Sequence, residues 1–230
     1  MVSASVPLVL GSASPARLET LQRAGVRPYV LVSDIDEGTV MTQAVSHFGE
    51  LEPQDIALVL ARAKCEAVTS VLCGDSCPAD APTGALVLGC DSVLDLDGKL
   101  HGKPADEAEA ILRWKTMRGR SGVLHTGHWL IDDRNADHGG TGATFGAVAS
   151  TTVHFATITD EEIAAYVATA EPLQVAGAFT IDGLGGPFIS GIEGDHHNVV
   201  RLSLPLRPDL PGAITLTWSD FSPHPWLPGA

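Results

Sequence analysis

The 230 residues are 44% hydrophobic and 18% charged, which describes a folded chain large enough for one α/β domain or two small lobes sharing a core. A formal net charge of −14 repels a polyanion and excludes long nucleic acid as a partner. No apolar run approaches the ~20 residues that cross a bilayer, and the apolar first ten residues have no basic segment ahead of them, so neither a membrane nor an export role is expected. The cytoplasm is therefore the default compartment, and Cys65, Cys73, Cys77 and Cys90 are expected as free thiols. The charge is uneven: 11 of the 14 Lys and Arg lie within residues 1–120, so a small anionic ligand would be met mainly by the first half.

Residues 7–10 read as a buried strand running into Gly11-Ser12-Ala13-Ser14-Pro15. Leu18, Leu21 and Ala24 then recur on one face of a short helix that ends at Gly25. A second strand is expected over 28–33, closing on the acidic turn Asp34-Ile35-Asp36-Glu37. Gln54 to Leu72 is Ala-rich, with Ile56, Leu60, Ala63 and Ala67 at helical spacing, and a turn-rich loop follows over 73–84. Residues 85–90 form a strand ending at Asp91-Ser92, with a hairpin expected over 93–101 around Asp97-Gly98. A helix over 105–117, a strand over 122–132, a Gly-rich loop over 133–147 and a β-branched strand over 149–157 come next. Thr159-x-x-Glu162 is a capping box opening a helix over 160–168. Six glycines within 177–194 suggest tight turns between short strands, and five prolines after Arg207 mark an appendage. Alternating strands and helices point to an α/β fold. The domain division is 1–206 for the folded unit and 207–230 for the Pro-rich tail.

Three constellations can carry chemistry. The first is the strand–turn–helix around Ser12, Ser14 and Arg17, where hydroxyls, free helix N–H groups and a guanidinium suit a phosphate, although Ser before Pro at a helix start is also an ordinary cap. The second is Asp91-Ser92 with Gly102-Lys103-Pro104: a carboxylate at the end of a buried strand faces a ligand crevice, and a lysine can neutralise phosphate there. The third is Asp36-Glu37, oxygen ligands suited to Mg²⁺ or a solvated acidic turn. Lys64 lies on the polar side of the long helix. Cys73-x3-Cys77 lacks the second pair of a zinc site. Asp195-His196-His197 has the look of a metal phosphoesterase signature but lacks the Asp-rich motifs of a two-metal centre, and adjacent Gly191 and Gly194 favour a turn.

In order, these segments resemble the Maf family of nucleoside triphosphate pyrophosphatases. The resemblance runs from Gly11-Ser12-Ala13-Ser14-Pro15-Ala16-Arg17 through Asp36-Glu37, Lys64, Asp91-Ser92, Gly102-Lys103-Pro104, Thr126-Gly127 and Ala176-Gly177-Ala178-Phe179 to Asn198-Val199-Val200. It departs at Ala16 (usually arginine), Ser92 (usually threonine) and Val175 (usually lysine), and Asp182 stands where one branch has glutamine and another glutamate. Neither branch's base preference transfers. The resemblance implies an elongated mixed sheet with flanking helices and two lobes around a nucleotide cleft, similar to inosine triphosphate pyrophosphatases. It further implies hydrolysis of a nucleoside triphosphate at the α–β bond with Mg²⁺ or Mn²⁺, and the possibility of a homodimer. On this reading Asp91 and Lys103 are catalytic, Ser12, Ser14, Arg17, Lys64, Ser92 and Asp182 bind substrate, and Glu37, with Asp36 second, binds metal. Two other readings stay open: a nucleotide-binding regulator of cell division with little catalysis, and a phosphoesterase built on Asp195-His196-His197 that releases orthophosphate.

Overall fold

A computed structural model describes residues 6–204. The proposed tail at 207–230 lies outside the described residues. The sheet has seven strands: β1 (Leu8–Gly11), β2 (Tyr29–Val30), β3 (Leu86–Leu96), β4 (Lys99–His101), β5 (Ser121–Asp132), β6 (Thr144–Phe155) and β7 (Ile189–Glu193). Their order is β2-β1-β3-β5-β6-β7, with β4 paired to β3. β1 runs parallel to β2 and β3, and the remaining pairs are antiparallel, so the sheet is mixed. The helices are α1 (Pro15–Arg23), α2 (Glu37–Phe48), α3 (Pro53–Leu72), α4 (Glu107–Met117), α5 (Asp160–Val167) and α6 (His196–Val199). Among the described residues no helix is long and apolar enough to cross a membrane.

Helix α3 lies directly on the sheet because the strands beneath it carry no side chain at the crossing. A Cβ on Gly89 of β3 would collide with the Ala61 carbonyl, and one on Gly127 of β5 with the backbone of Ala57. Beyond this crossing, Val9, Val68 and Val87 fill the space between helix and sheet. On the opposite face Leu10, Leu21, Leu86, Cys90 and Leu202 pack under α1. A third cluster closes the far end of the sheet around Trp114 of α4, which donates its indole N–H to the Ala178 carbonyl (2.7 Å) and meets Phe155, Tyr166 and Phe188 edge to face. The two ends of the sheet are thus separately cored, and β3 and β5 run through both.

Several elements differ from expectation. The expected break at Asp91-Ser92 does not exist: β3 continues from Leu86 to Leu96, in unbroken register with β5 from Leu86↔Asp132 to Asp95↔Val123. The ladder pairs the backbone of both polar residues, and their side chains find partners on either face, so neither has to end the strand. The strand expected at 28–33 shrinks to Tyr29–Val30. β6 begins at Thr144, inside the expected Gly-rich loop. Helix α2 has no counterpart among the expected elements; only Ala44 is buried along it, so no apolar stripe announces it. The Gly177–Gly194 stretch forms short 3₁₀ turns and one strand rather than several. The capping box at Thr159 and Glu162 forms as expected.

Candidate active site

The sheet leaves a notch on one edge of its central strand. β1 stops at Gly11, opposite Gly89, while β4 reaches only as far as Leu94, opposite His101. Residues 90–93 of β3 therefore have β5 on one side and no strand on the other. The Ser12–Ser14 loop leaves one end of the notch and the Gly102-Lys103-Pro104 loop leaves the other. Because side chains alternate along a strand, Asp91 faces α3 and Ser92 faces α1. One dipeptide thus serves two different environments.

On the α1 face, Arg17 is buried at 7% exposure. Its Nη1 donates to Ser12 Oγ (2.8 Å), its Nη2 to Ser92 Oγ (3.1 Å) and its Nε to the Arg201 carbonyl (2.9 Å). Ser92 shares a further bond with Thr126 Oγ1 of β5 at 2.9 Å. All of these partners are neutral, and no carboxylate among the described residues pairs with Arg17. Ser14 occupies the cap position of α1, yet its side chain makes no capping bond. A hydroxyl, free helix N–H groups and a guanidinium with no counter-ion are what an incoming phosphate needs.

On the α3 face the charges neutralise one another. Lys64 Nζ sits 2.5 Å from Asp91 Oδ1 and 2.7 Å from Glu37 Oε1. Burial pushes the Asp91 carboxyl above the ordinary aspartate value, and the charges of Lys64 and Arg17 offset that only in part. Burial works against the Lys64 charge, but the two carboxylates outweigh it and hold the ammonium above the usual lysine range. Asp36 acts structurally as the cap of α2, with Oδ1 accepting from the N–H of Gly38 (3.0 Å) and Thr39 (3.2 Å) and Oδ2 from the Thr39 hydroxyl (2.7 Å).

The remaining expected residues stand further out. Lys103 is exposed, on a loop anchored by the Gly102 carbonyl, which accepts from Gly177 N–H (3.0 Å) and Arg113 Nη1 (2.5 Å). Asp182 is exposed and lines a cavity of about 480 Å³ with Thr20, Arg23, His196 and His197. Thr20 and Arg23 lie one and two turns along α1 from Arg17, so this cavity adjoins the phosphate-like cradle. The structure thus brings Ser12, Arg17 and Ser92 together, brings Glu37, Lys64 and Asp91 together, and joins the two groups through β3. Ser14 borders the first group; Lys103 and Asp182 contact neither.

Thr126, Arg113 and Arg201 lie outside the candidates that the sequence offers. Arg113 has a legible partner in Glu109 four residues earlier (2.5 Å), whereas a lone arginine after Asn198-Val199-Val200 belongs to no periodic pattern. Asp195 caps α6 and also accepts from Ser203 Oγ (2.6 Å), in keeping with a turn around Asp195-His196-His197. The four cysteines are free, Cys65 and Cys90 buried, Cys73 and Cys77 exposed.

Comparison with known proteins finds relatives that span most of the chain. The description "Maf-like protein" matches residues 7–209. A "Nucleoside triphosphate pyrophosphatase" of Salinispora tropica is 53% identical over 97% of this chain and 94% of that protein. Proteins of the same name from Streptomyces coelicolor (50% identical, 92% of this chain, 94% of that one) and Mycobacterium marinum (47%, 88% and 90%) are similar in extent. A solved nucleoside-triphosphatase, dITP/XTP pyrophosphatase, from Mycobacterium abscessus is 13% identical with a TM-score of 0.35, covering 86% of this chain and 90% of that one, a likeness too remote to carry weight beside the topology itself. With a match that spans nearly all of the described fold, the chain belongs to the Maf-like protein family.

Proposed function

We propose that the protein is a nucleoside triphosphate pyrophosphatase, cleaving the α–β anhydride of a nucleoside triphosphate to the monophosphate and pyrophosphate. The observation that carries this reading is the placement of Asp91 and Ser92 back to back in one notch. A buried carboxylate held by Lys64 lies on one face, and a guanidinium with no carboxylate partner among the described residues lies on the other. The names of the relatives support it.

Water is a poor nucleophile, and the triphosphate's own charge repels an approaching oxyanion. Arg17, with the hydroxyls of Ser12 and Ser14 and the amides at the start of α1, takes the phosphate oxygens and stabilises the charge of the departing pyrophosphate. Asp91, its basicity raised by burial, orients a water and accepts its proton. Lys64 holds the Asp91 carboxylate in place and shields its charge from the substrate. Lys103, exposed at the other end of the notch, closes on the phosphates from outside, and Asp182 faces the base from its cavity.

Among the described residues no group of three or more His, Cys, Asp or Glu converges as a metal cage. A divalent cation at the notch would therefore be held by few protein oxygens, with water and substrate phosphate supplying the rest, the usual arrangement for Mg²⁺. Glu37 fits that role: its carboxylate is half exposed and faces the site beside Lys64, whereas both oxygens of Asp36 are engaged in the cap. Mg²⁺ or Mn²⁺ held there would polarise the phosphates and offset their charge. The test is a panel of nucleoside triphosphates incubated with and without Mg²⁺, with products resolved by chromatography. Monophosphate and pyrophosphate in equal amounts are expected; diphosphate with orthophosphate, or no turnover of any substrate, overturns the reading.

A further inference from the structure

Arg201 stands outside the roles assigned above. It is one of three Lys or Arg within residues 121–230, and it is buried at 5% exposure. Its Nη2 donates to the carbonyls of Ala176 (2.6 Å) and Phe179 (2.8 Å), and its guanidinium lies 4.9 Å from the centre of the Phe179 ring. Its buried Nη1 finds no partner among the described residues. Its backbone holds φ at 83°, in the left-handed region that a non-glycine residue adopts only under strain.

The Arg201 carbonyl accepts from Nε of Arg17 (2.9 Å). Arg17 is thereby tied to the Arg201 backbone, the two side-chain charges repel each other, and no carboxylate among the described residues is ion-paired with either. Burial and the charge of Arg17 push the Arg201 value down to about 9, with Asp182 opposing. A guanidinium keeps its charge in such a place. A buried like-charge pair, an orphaned N–H group and a strained φ are each unfavourable in the free protein.

We infer that Arg201 is a second cation of the phosphate subsite, a positioning residue that fixes Arg17 through its carbonyl and adds its own charge behind it, so that a polyphosphate supplies the negative charge the pair lacks. This rests on the reading that Ser12 to Arg17 cradle the phosphates. The chemical class it favours is a ligand with at least two adjacent phosphates, since a single phosphate cannot balance both charges as well.

The test uses inorganic pyrophosphate as the probe, titrated calorimetrically into the full chain at low and at physiological salt. Arg201→Met and Arg201→Lys carry similar unbranched stems and the same backbone strain but differ in charge. Arg201→Met should weaken pyrophosphate binding by about tenfold or more, the scale of one charge-assisted contact. Arg201→Lys should recover most of that loss, and the wild type should show a steeper salt dependence than the Met variant. In turnover, the Met variant should raise KM while kcat changes by less than about threefold. If Arg201→Met does not fold, Arg201→Gly takes its place, because glycine accepts the left-handed φ and keeps the carbonyl for Arg17. A folded uncharged variant that binds pyrophosphate within twofold of wild type overturns the inference, as does failure of Lys to rescue. Pyrophosphate binding that depends on Arg201 in a protein that hydrolyses no nucleotide would overturn the pyrophosphatase reading and leave this inference standing.

Discussion

The two faces of the β3 notch use charge in opposite ways. On the α3 face, Lys64 lies between Asp91 and Glu37, so the charges are matched inside the protein. On the α1 face, Arg17 is held by two serine hydroxyls and a carbonyl, and its charge is left for something else to balance. On the proposed mechanism the difference divides the chemistry between them, because the unbalanced face would attract an anion while the neighbouring Lys64 keeps the buried carboxylate from repelling it. It also shows why Asp and Ser must be adjacent in one strand, since alternation sends them to opposite faces of the same notch.

The largest expected effect comes from the balanced face. Asp91→Asn keeps the shape but removes the basicity, so kcat should fall by about 10²–10⁴ in steady-state assays. A variant retaining a substantial share of wild-type kcat would break the assignment of Asp91 as base. Next in size is Arg17→Ala, which removes the cation and leaves Ser12 and Ser92 without their donor. It should lower kcat/KM by about tenfold or more. Lys103→Ala should act in the same direction but less, because an exposed lysine interacts through solvent.

The pH dependence sharpens the same contrast. Asp91 must be ionised to take a proton, and its value lies above the ordinary aspartate range, so the acid limb of kcat/KM should fall above that of an exposed carboxylate. For stability the sign is fixed by the same shift. A raised folded value favours the protonated form, so the Asp91 contribution is complete below the unfolded aspartate value and is lost as pH rises through the folded one. Thermal melts of wild type and Asp91→Asn across acidic pH should diverge in that window. The smallest effect concerns selection of the base. Asp182 offers only acceptors to its cavity, so Asp182→Gln should move the substrate profile toward bases that present a carbonyl, chiefly dTTP and UTP, with little change in overall turnover. A wild-type enzyme already restricted to dTTP and UTP would show that Asp182 does not set selection.

Much of this was legible in the sequence, for identifiable reasons. β1, α1, α3 and the Thr159 capping box follow from apolar spacing and cap chemistry that act locally. Asp91-Ser92 misled because polar residues in an apolar run read as a strand end; their partners, Lys64 from 27 positions away and Arg17 from 75, are visible only once the chain is folded. Local pattern offers most of the site residues as candidates, and motif resemblance assigns their roles and adds Asp182. The resemblance prefers Glu37 over Asp36 as metal ligand but cannot show that Asp36 is engaged in capping α2. It was silent on Arg201, whose role depends on a backbone angle and on the proximity of a residue 184 positions earlier.

The division of labour between the two faces is tested most directly by pyrophosphate binding to Asp91→Asn and Arg17→Ala, measured side by side under conditions without turnover. The account predicts that Asp91→Asn binds pyrophosphate as tightly as wild type or more so, having lost a negative charge, while Arg17→Ala binds about tenfold or more weakly. Loss of binding in Asp91→Asn with retention in Arg17→Ala would contradict it.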